Sequence, residues 1–307
     1  MKNTINFYYN IFLDELIKKD NCYYFYYGGD EYYFVPLNRP YDDVQSIYKL
    51  NLEMKKRRCL VHELVLNKDK SIITIVNGIS YVLIKLCKYK NDKVFLNDIN
   101  YIQNMTVNIE CDKSLVRNEW VKLWSEKIDY YEYQISQVGK KYPLLCDSLS
   151  YFIGMGENAI SYLVNNLDSK TNVNLVVSHK RIYQESGSLN FYDPLNFVVD
   201  SRVRDVAEFI KETFYNKTLN LYDLKSYFNM ANLNKNEYIL LLGRLLFPTY
   251  YFDIYDDIIN KGKSEELVVN IIDRTDEYES LLNTIYKFIL YEKKARLEPI
   301  EWLQDKN

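Results

Sequence analysis

Between Ser178 and Phe214 the chain reads SHKRIYQESGSLNFYDPLNFVVDSRVRDVAEFIKETF, with Asp193, then Asp200 seven residues on and Asp205 twelve residues on. Carboxylates in such a run can hold magnesium through hard oxygen ligands or accept a proton from a hydroxyl nucleophile, the two tasks that phosphoryl transfer asks of acidic side chains. Just upstream stand His179, Lys180, Arg181, Glu185 and Ser186. Arg181 opposes that chemistry: a guanidinium stays protonated in a protein, accepts no proton, and raises the cost of bringing a divalent cation close. Asp193 precedes Pro194, a position where the side chain also serves by bonding local backbone in a turn. Opposite charges make an ion pair between Arg181 and Asp193 an expectation, one that would lock the site shut. Asp205, between Arg202 and Arg204 and just ahead of a helical run from Val206 to Tyr215, reads as a structural acid near a helix N-terminus, worth ~0.5–2 kcal/mol.

The elements that must carry these residues follow from periodicity. Strands are expected near Leu175–Val177 and over Leu189–Tyr192, inside a stretch that is otherwise helical from about Leu96 onward. The predicted helices there cover residues 97–108, 114–138, 157–167, 204–215, 221–230, 235–246 and 274–291. The first 85 residues read differently. A helix-like stripe (Ile5, Tyr8, Tyr9, Phe12, Leu13, Leu16) is followed by CYYFYY and YYFVPL flanking Gly28-Gly29-Asp30-Glu31, a β-hairpin with a glycine-supplied turn. Pro36 donates nothing to a strand ladder and marks a strand end or edge. A helix is expected from about Asp42 to Arg58, its last cations Lys55, Lys56, Arg57 and Arg58 offsetting the negative end of the macrodipole. Strands Ser71–Val76 and Ile79–Lys85 bracket Asn77-Gly78, the strongest hairpin signal in the chain. Leu86–Phe95 reads as a crossover. His62-Glu63 has Leu66 where a zinc-binding helix would place its second His, so His62 reads as a satisfied structural residue.

At 307 residues the chain has room for about two domains or one bilobal body. A net charge of -3 with 26% charged residues gives no argument for nucleic acid or an anionic membrane as partner. No stretch reaches the ~18 apolar residues of a membrane span, and the N-terminus lacks the apolar block of a secretory signal, so use inside a cell is expected. Cys22, Cys59, Cys87, Cys111 and Cys146 are widely spread, with no C-x-x-C and only two His, which suits reduced thiols better than zinc. The 31 tyrosines fit either a biased genome or surface contact and cross-linking in a protein coat.

The run from His179 to Asp205, together with Trp120, Trp124, Asp129 and Glu132, YFIGMGENAISYL (Tyr151–Leu163) and GRLLFPTYYFDIYD (Gly243–Asp256), resembles the aminoglycoside and choline kinase-like superfamily. More narrowly it resembles the spore coat proteins of the CotS and YutH type, from endospore-forming Firmicutes. The resemblance covers nearly the whole chain. It implies an α+β, bilobal protein kinase-like fold: a small antiparallel β N-lobe with one helix (residues 1–88) and a large, mostly α-helical C-lobe (residues 89–307). In that superfamily a strand ends in His-Gly-Asp, an Asn follows five residues after the Asp, and a later strand ends in a second Asp. Here His179 is kept, Lys180 and Arg181 replace Gly and Asp, and Ser186 replaces Asn. The phosphate-pairing Lys of the second strand falls among Val35, Pro36 and Leu37, which leaves Glu53 without its usual reason.

The vestigial set is therefore His179, Arg181, Ser186, Asp193, Asp200 and Asp205, with Asp193 as the one metal-ligand candidate. The resemblance implies a catalytically inactive structural or assembly protein of the spore coat, made in the mother-cell cytoplasm and deposited on the coat. It would need no cofactor, and its partners would be other coat proteins, met through the tyrosine-rich hairpin. The alternatives are a phosphotransferase using Mg-ATP and a hydroxyl acceptor, with Asp200 or Glu185 as base, and a scaffold that senses nucleotide without turning it over. Shared fold does not transfer chemistry.

Overall fold

The computed structural model describes residues 1–168 and 173–304. Chain order begins with helix α1 (Lys2–Tyr9), strands β1 (Ile17–Lys19), β2 (Cys22–Tyr27) and β3 (Asp30–Pro36), helix α2 (Asp43–Lys56), and strands β4 (Glu63–Val65), β5 (Ile73–Val76) and β6 (Ile79–Lys85). Helices α3 (Leu96–Met105), α4 (Trp120–Val138) and α5 (Pro143–Asn166) follow, then β7 (Leu175–His179), a short α6 (Gly187–Phe191) and β8 (Phe197–Ser201). The rest is helical: α7 (Val203–Tyr215), α8 (Leu221–Ala231), α9 (Lys235–Leu246), α10 (Thr249–Lys261), α11 (Val269–Ile272), α12 (Thr275–Tyr291) and α13 (Glu301–Gln304).

Two compact units emerge. The first comprises Met1–Val116, Leu175–Arg181 and Glu185–Asp200; the second comprises Arg117–Asn174, Ile182–Gln184 and Ser201–Asn307. In the first, an antiparallel sheet runs β1-β2-β3-β6-β4, with β5 also on β6. Both predicted hairpins form, with Gly28 and Gly29 at φ 60° and 80° and Asn77-Gly78 at 51° and 79°, the doubly positive pair a two-residue turn of the right hand requires. Pro36 ends β3, as its missing N–H demands. Over one sheet face, Ile5, Ile11 and Leu13 pack with Phe25, Phe34, Tyr81 and Leu83. On α2, Val44, Ile47, Leu50 and Met54 are buried at the expected spacing, and Asn51 fastens the helix to β4 by donating to the His62 carbonyl (2.8 Å) and accepting from Leu64 N–H (3.2 Å).

In the second unit α9 is buried from Asn236 to Leu246 and contacts α5, α7 and α12. Its sequence, YILLLGRLL, is apolar on every side, which suits a helix with no solvent face. Asn234 and Glu237 close its N-terminus as a capping box, each side chain accepting the other's backbone N–H at 2.9 Å. Gly243 lets α5 come close: a Cβ there would lie 2.4 Å from Leu163 Cδ2. Trp124 stacks on Phe247 at 4.2 Å, so the segments that carried the family resemblance are packing elements of this core.

Several predicted elements differ. The strand expected over Leu189–Tyr192 is the helix α6, and the second strand of the pair lies later, at Phe197–Ser201. A short apolar run looks alike as buried helix or strand, and Gly187, at φ 59°, turns the chain into a helix there. The N-terminal stripe is helical only to Tyr9, since Asn10 adopts a left-handed conformation (φ 53°). The long helix expected from Ser114 is a single turn at Lys113–Leu115 and then α4, whereas α5 starts fourteen residues before the predicted one, at Pro143, whose fixed φ suits a first helical position. Strands β1 and β4 and helix α10 were not anticipated.

Candidate functional site

β7 delivers His179 at its end, paired to β8, which delivers Asp200. Thr106, just past α3, supports β7 by accepting the Val177 N–H at its Oγ1 (3.0 Å). His179 is buried among aromatic rings: it stacks on Phe191 at 4.5 Å, meets Phe197 edge-on at 5.3 Å, and donates from Nε2 to the Phe191 carbonyl at 2.8 Å. Its work is to hold the loop after β7 against α6.

Arg181 follows that loop's turn and donates from Nη1 to the Lys180 carbonyl (2.8 Å), while its own carbonyl accepts from Asn196 Nδ2 (3.1 Å). Asp193 accepts the Leu195 N–H at 2.9 Å, the turn-forming use its place before Pro194 suggested. Burial pushes its carboxyl up to about 6 despite that hydrogen bond and the nearby charges, of which Lys180 weighs most, then Arg39 and His179. The cation that dominates around Asp193 is thus Lys180, where Arg181 had been expected. Asp200, at the end of β8, is completely buried. It occupies the strand-end place that the sequence reading had given to Asp193. Asp205 lies in the second unit, buried in the first turn of α7 where the helix dipole favours a carboxylate. Glu185, the other base candidate, is exposed and paired with Lys93 at 2.8 Å. Glu53 pairs with Lys56 on the surface of α2.

Sequence reasoning missed Arg39. Its side chain is fully buried, donates to the carbonyls of Leu195 (3.2 Å) and Phe197 (2.6 Å), and pairs with Asp43 at 3.3 Å. A single Arg directly before Pro40 carries no periodic signal, so only the fold reveals that it clamps the Asp193–Phe197 turn. His62 has the structural role read from sequence. Its Nδ1 accepts the Cys87 N–H (3.1 Å) and its Nε2 donates to the Leu189 carbonyl (3.1 Å), which fixes the tautomer. Burial lowers its pKa to about 4. A cavity of about 340 Å³ opens beside it, within the first unit, lined among others by Tyr24, Glu31, Tyr89, Asp92 and Ser186. Among the described residues no three His, Cys, Asp or Glu side chains converge in a way that would hold a metal ion.

A family model described as "Spore coat putative kinase YutH" matches residues 2–285. The chain belongs to this family. It is 29% identical over 208 residues to an endospore coat-associated protein YutH of Bacillus subtilis, a match spanning 60% of this chain and 61% of that protein. Its fold is similar to that of an aminoglycoside phosphotransferase from Alicyclobacillus acidocaldarius (TM-score 0.67, 9% identity, 92% of this chain and 94% of the other). A spectinomycin phosphotransferase solved with ADP and spectinomycin gives a TM-score of 0.58 at 11% identity, covering 86% of this chain and 89% of that one. An amicoumacin kinase gives 0.54 at 12% identity over 98% and 95%. At such identities the likeness establishes the fold: kinase-like, with an antiparallel sheet in the N-terminal region and helices through most of the rest.

Proposed function

We propose that this protein is a component of the bacterial spore coat that keeps a kinase-like fold and works by binding other coat proteins, without phosphoryl transfer. Membership of the spore coat family and the coat-associated relative support the location. The observation that carries the loss of chemistry is the pair of cations, Lys180 and Arg181, that directly follows buried His179 at the end of β7. A hydroxyl nucleophile needs a proton acceptor there, and a permanently charged guanidinium cannot be one. The residues also fit a magnesium nucleotide poorly. Asp193 sits in a turn, accepting the Leu195 N–H, and not at a strand end, and the Val35-Pro36 end of β3 has no ammonium for the phosphates.

Thermal unfolding with millimolar ATP, with and without magnesium, tests this reading. The expected outcome is an unchanged midpoint; a ligand at ~100 times its Kd would add ~2.7 kcal/mol, several degrees for a domain of this size. A magnesium-dependent rise lost in Asp200→Asn would reveal a metal–nucleotide site, and transfer of labelled phosphate from ATP to an acceptor would overturn the inactive reading. Recovery of the protein in the coat fraction of purified spores tests the location. For partner contact, Tyr26 and Tyr27 on the first hairpin remain 66% and 41% exposed, and their replacement by Ser is expected to weaken co-purification of coat proteins.

A further inference from the structure

The segment Leu86–Phe95 borders the 340 Å³ cavity, a volume in the range of small-molecule sites, roughly 300–1,000 Å³. Its backbone edge is already engaged by protein groups. Leu86 N–H donates to the Glu31 carbonyl (2.8 Å) and Cys87 N–H to His62 Nδ1 (3.1 Å). Asn91 is met at both of its backbone groups by one residue: its N–H donates to Ser188 Oγ (3.0 Å) and its carbonyl accepts the Ser188 N–H (2.8 Å). Ser188 therefore presents a donor beside an acceptor, the same two-point pattern that adenine presents with its amino group and adjacent ring nitrogen.

The seating of α6 against this edge is close. Gly187 sits at φ 59°, and a Cβ there would lie 2.7 Å from the Asn91 carbonyl oxygen and 3.1 Å from that of Asp92, so the approach admits only glycine. Two further ties hold the segment. His62 joins the Leu189 carbonyl to Cys87 N–H, and Lys93 pairs with Glu185 at 2.8 Å.

We infer that α6 is an internal occupant of this edge: Ser188 takes the hydrogen bonds a nucleobase would make, so a nucleoside entering the cavity finds the edge already occupied. This autoinhibitory contact deepens the non-catalytic role proposed above, and the two can fail separately. Adenosine alone, without phosphate or metal, tests only the edge, whereas the transfer of labelled phosphate from Mg-ATP tests the chemistry.

The experiment is calorimetric titration of adenosine into wild type, Ser188→Ala and Ser188→Pro, with hydrogen exchange of the Asn91 amide followed in each. Ser188→Pro removes both hydrogen-bonding groups at a first-turn position where helices tolerate proline. Expected are no measurable binding to wild type, binding to Ser188→Pro at least tenfold tighter than any wild-type signal, and faster Asn91 exchange in both variants. Should Ser188→Pro not fold, Ser188→Ala decides alone, since it removes only the Oγ acceptor and is expected to bind adenosine weakly. Binding of adenosine to wild type would overturn the inference while leaving the absence of transfer standing. Faster Asn91 exchange without any gain in adenosine binding would overturn it equally.

Discussion

Acidification should act on this protein through two buried groups of opposite sign. His62 is held neutral, with its pKa lowered by burial from 6.5 to about 4. The unfolded chain therefore binds the extra proton in that window, and His62 costs stability as pH falls through it. Between pH 7 and pH 4.5 the loss is roughly 2–3 kcal/mol. Asp193 runs the other way. Its pKa is raised by burial from 3.8 to about 6, so the folded state holds a proton that the unfolded chain releases, and stability is gained as pH falls. Over the same span the gain is roughly 2 kcal/mol. The two nearly cancel in the wild type. His62→Asn removes the loss and should make the protein respond more favourably to acid than wild type by roughly 2–3 kcal/mol, whereas Asp193→Asn should respond less favourably by roughly 2 kcal/mol. Urea unfolding at the two pH values, for wild type and each variant, measures both as differences, so carboxylates common to all three proteins drop out. His62→Asn and wild type changing in parallel, within about 0.5 kcal/mol, would refute the assignment of a buried neutral imidazole clamped between Cys87 and Leu189.

Other consequences concern the packing that holds the site elements. Gly243→Ala would drive a Cβ into buried Leu163 and should cost ~1–3 kcal/mol by chemical denaturation, with Leu163→Ala giving a less than additive double mutant. Lys211 is buried, with its pKa lowered to about 8, and bonds to Glu208 (3.0 Å), Thr249 Oγ1 (2.6 Å) and the carbonyls of Arg244 and Phe247. Lys211→Met leaves Glu208 with only part of its compensation, and a loss of ~3–5 kcal/mol in unfolding free energy is expected. Arg39→Lys keeps the charge but cannot span Leu195, Phe197 and Asp43 together; a lower melting temperature by several degrees, from ~1–3 kcal/mol, is the expected result.

Local chemistry made much of the chain readable. Gly28-Gly29 and Asn77-Gly78 can turn a strand in few other ways, Pro36 had to end one, and the stripe of α2 repeats at helical spacing. That the cations Lys180 and Arg181 follow His179 was equally legible, because a guanidinium has one protonation state wherever it is placed. So was the family, through segments that prove to be the core around Trp124, Phe247 and Gly243. What tertiary structure alone decided was partnership across distance. Leu189–Tyr192 is apolar enough for strand or helix, and its docking on Asn91 and His62 goes with the helix. That docking passes the strand-end place from Asp193 to Asp200. The burial of Arg39 and Lys211, and the engagement of the Leu86–Phe95 edge by Ser188, depend on residues up to 158 positions apart. No local pattern records such pairs, because each side chain meets its partner only after the backbone between them has folded.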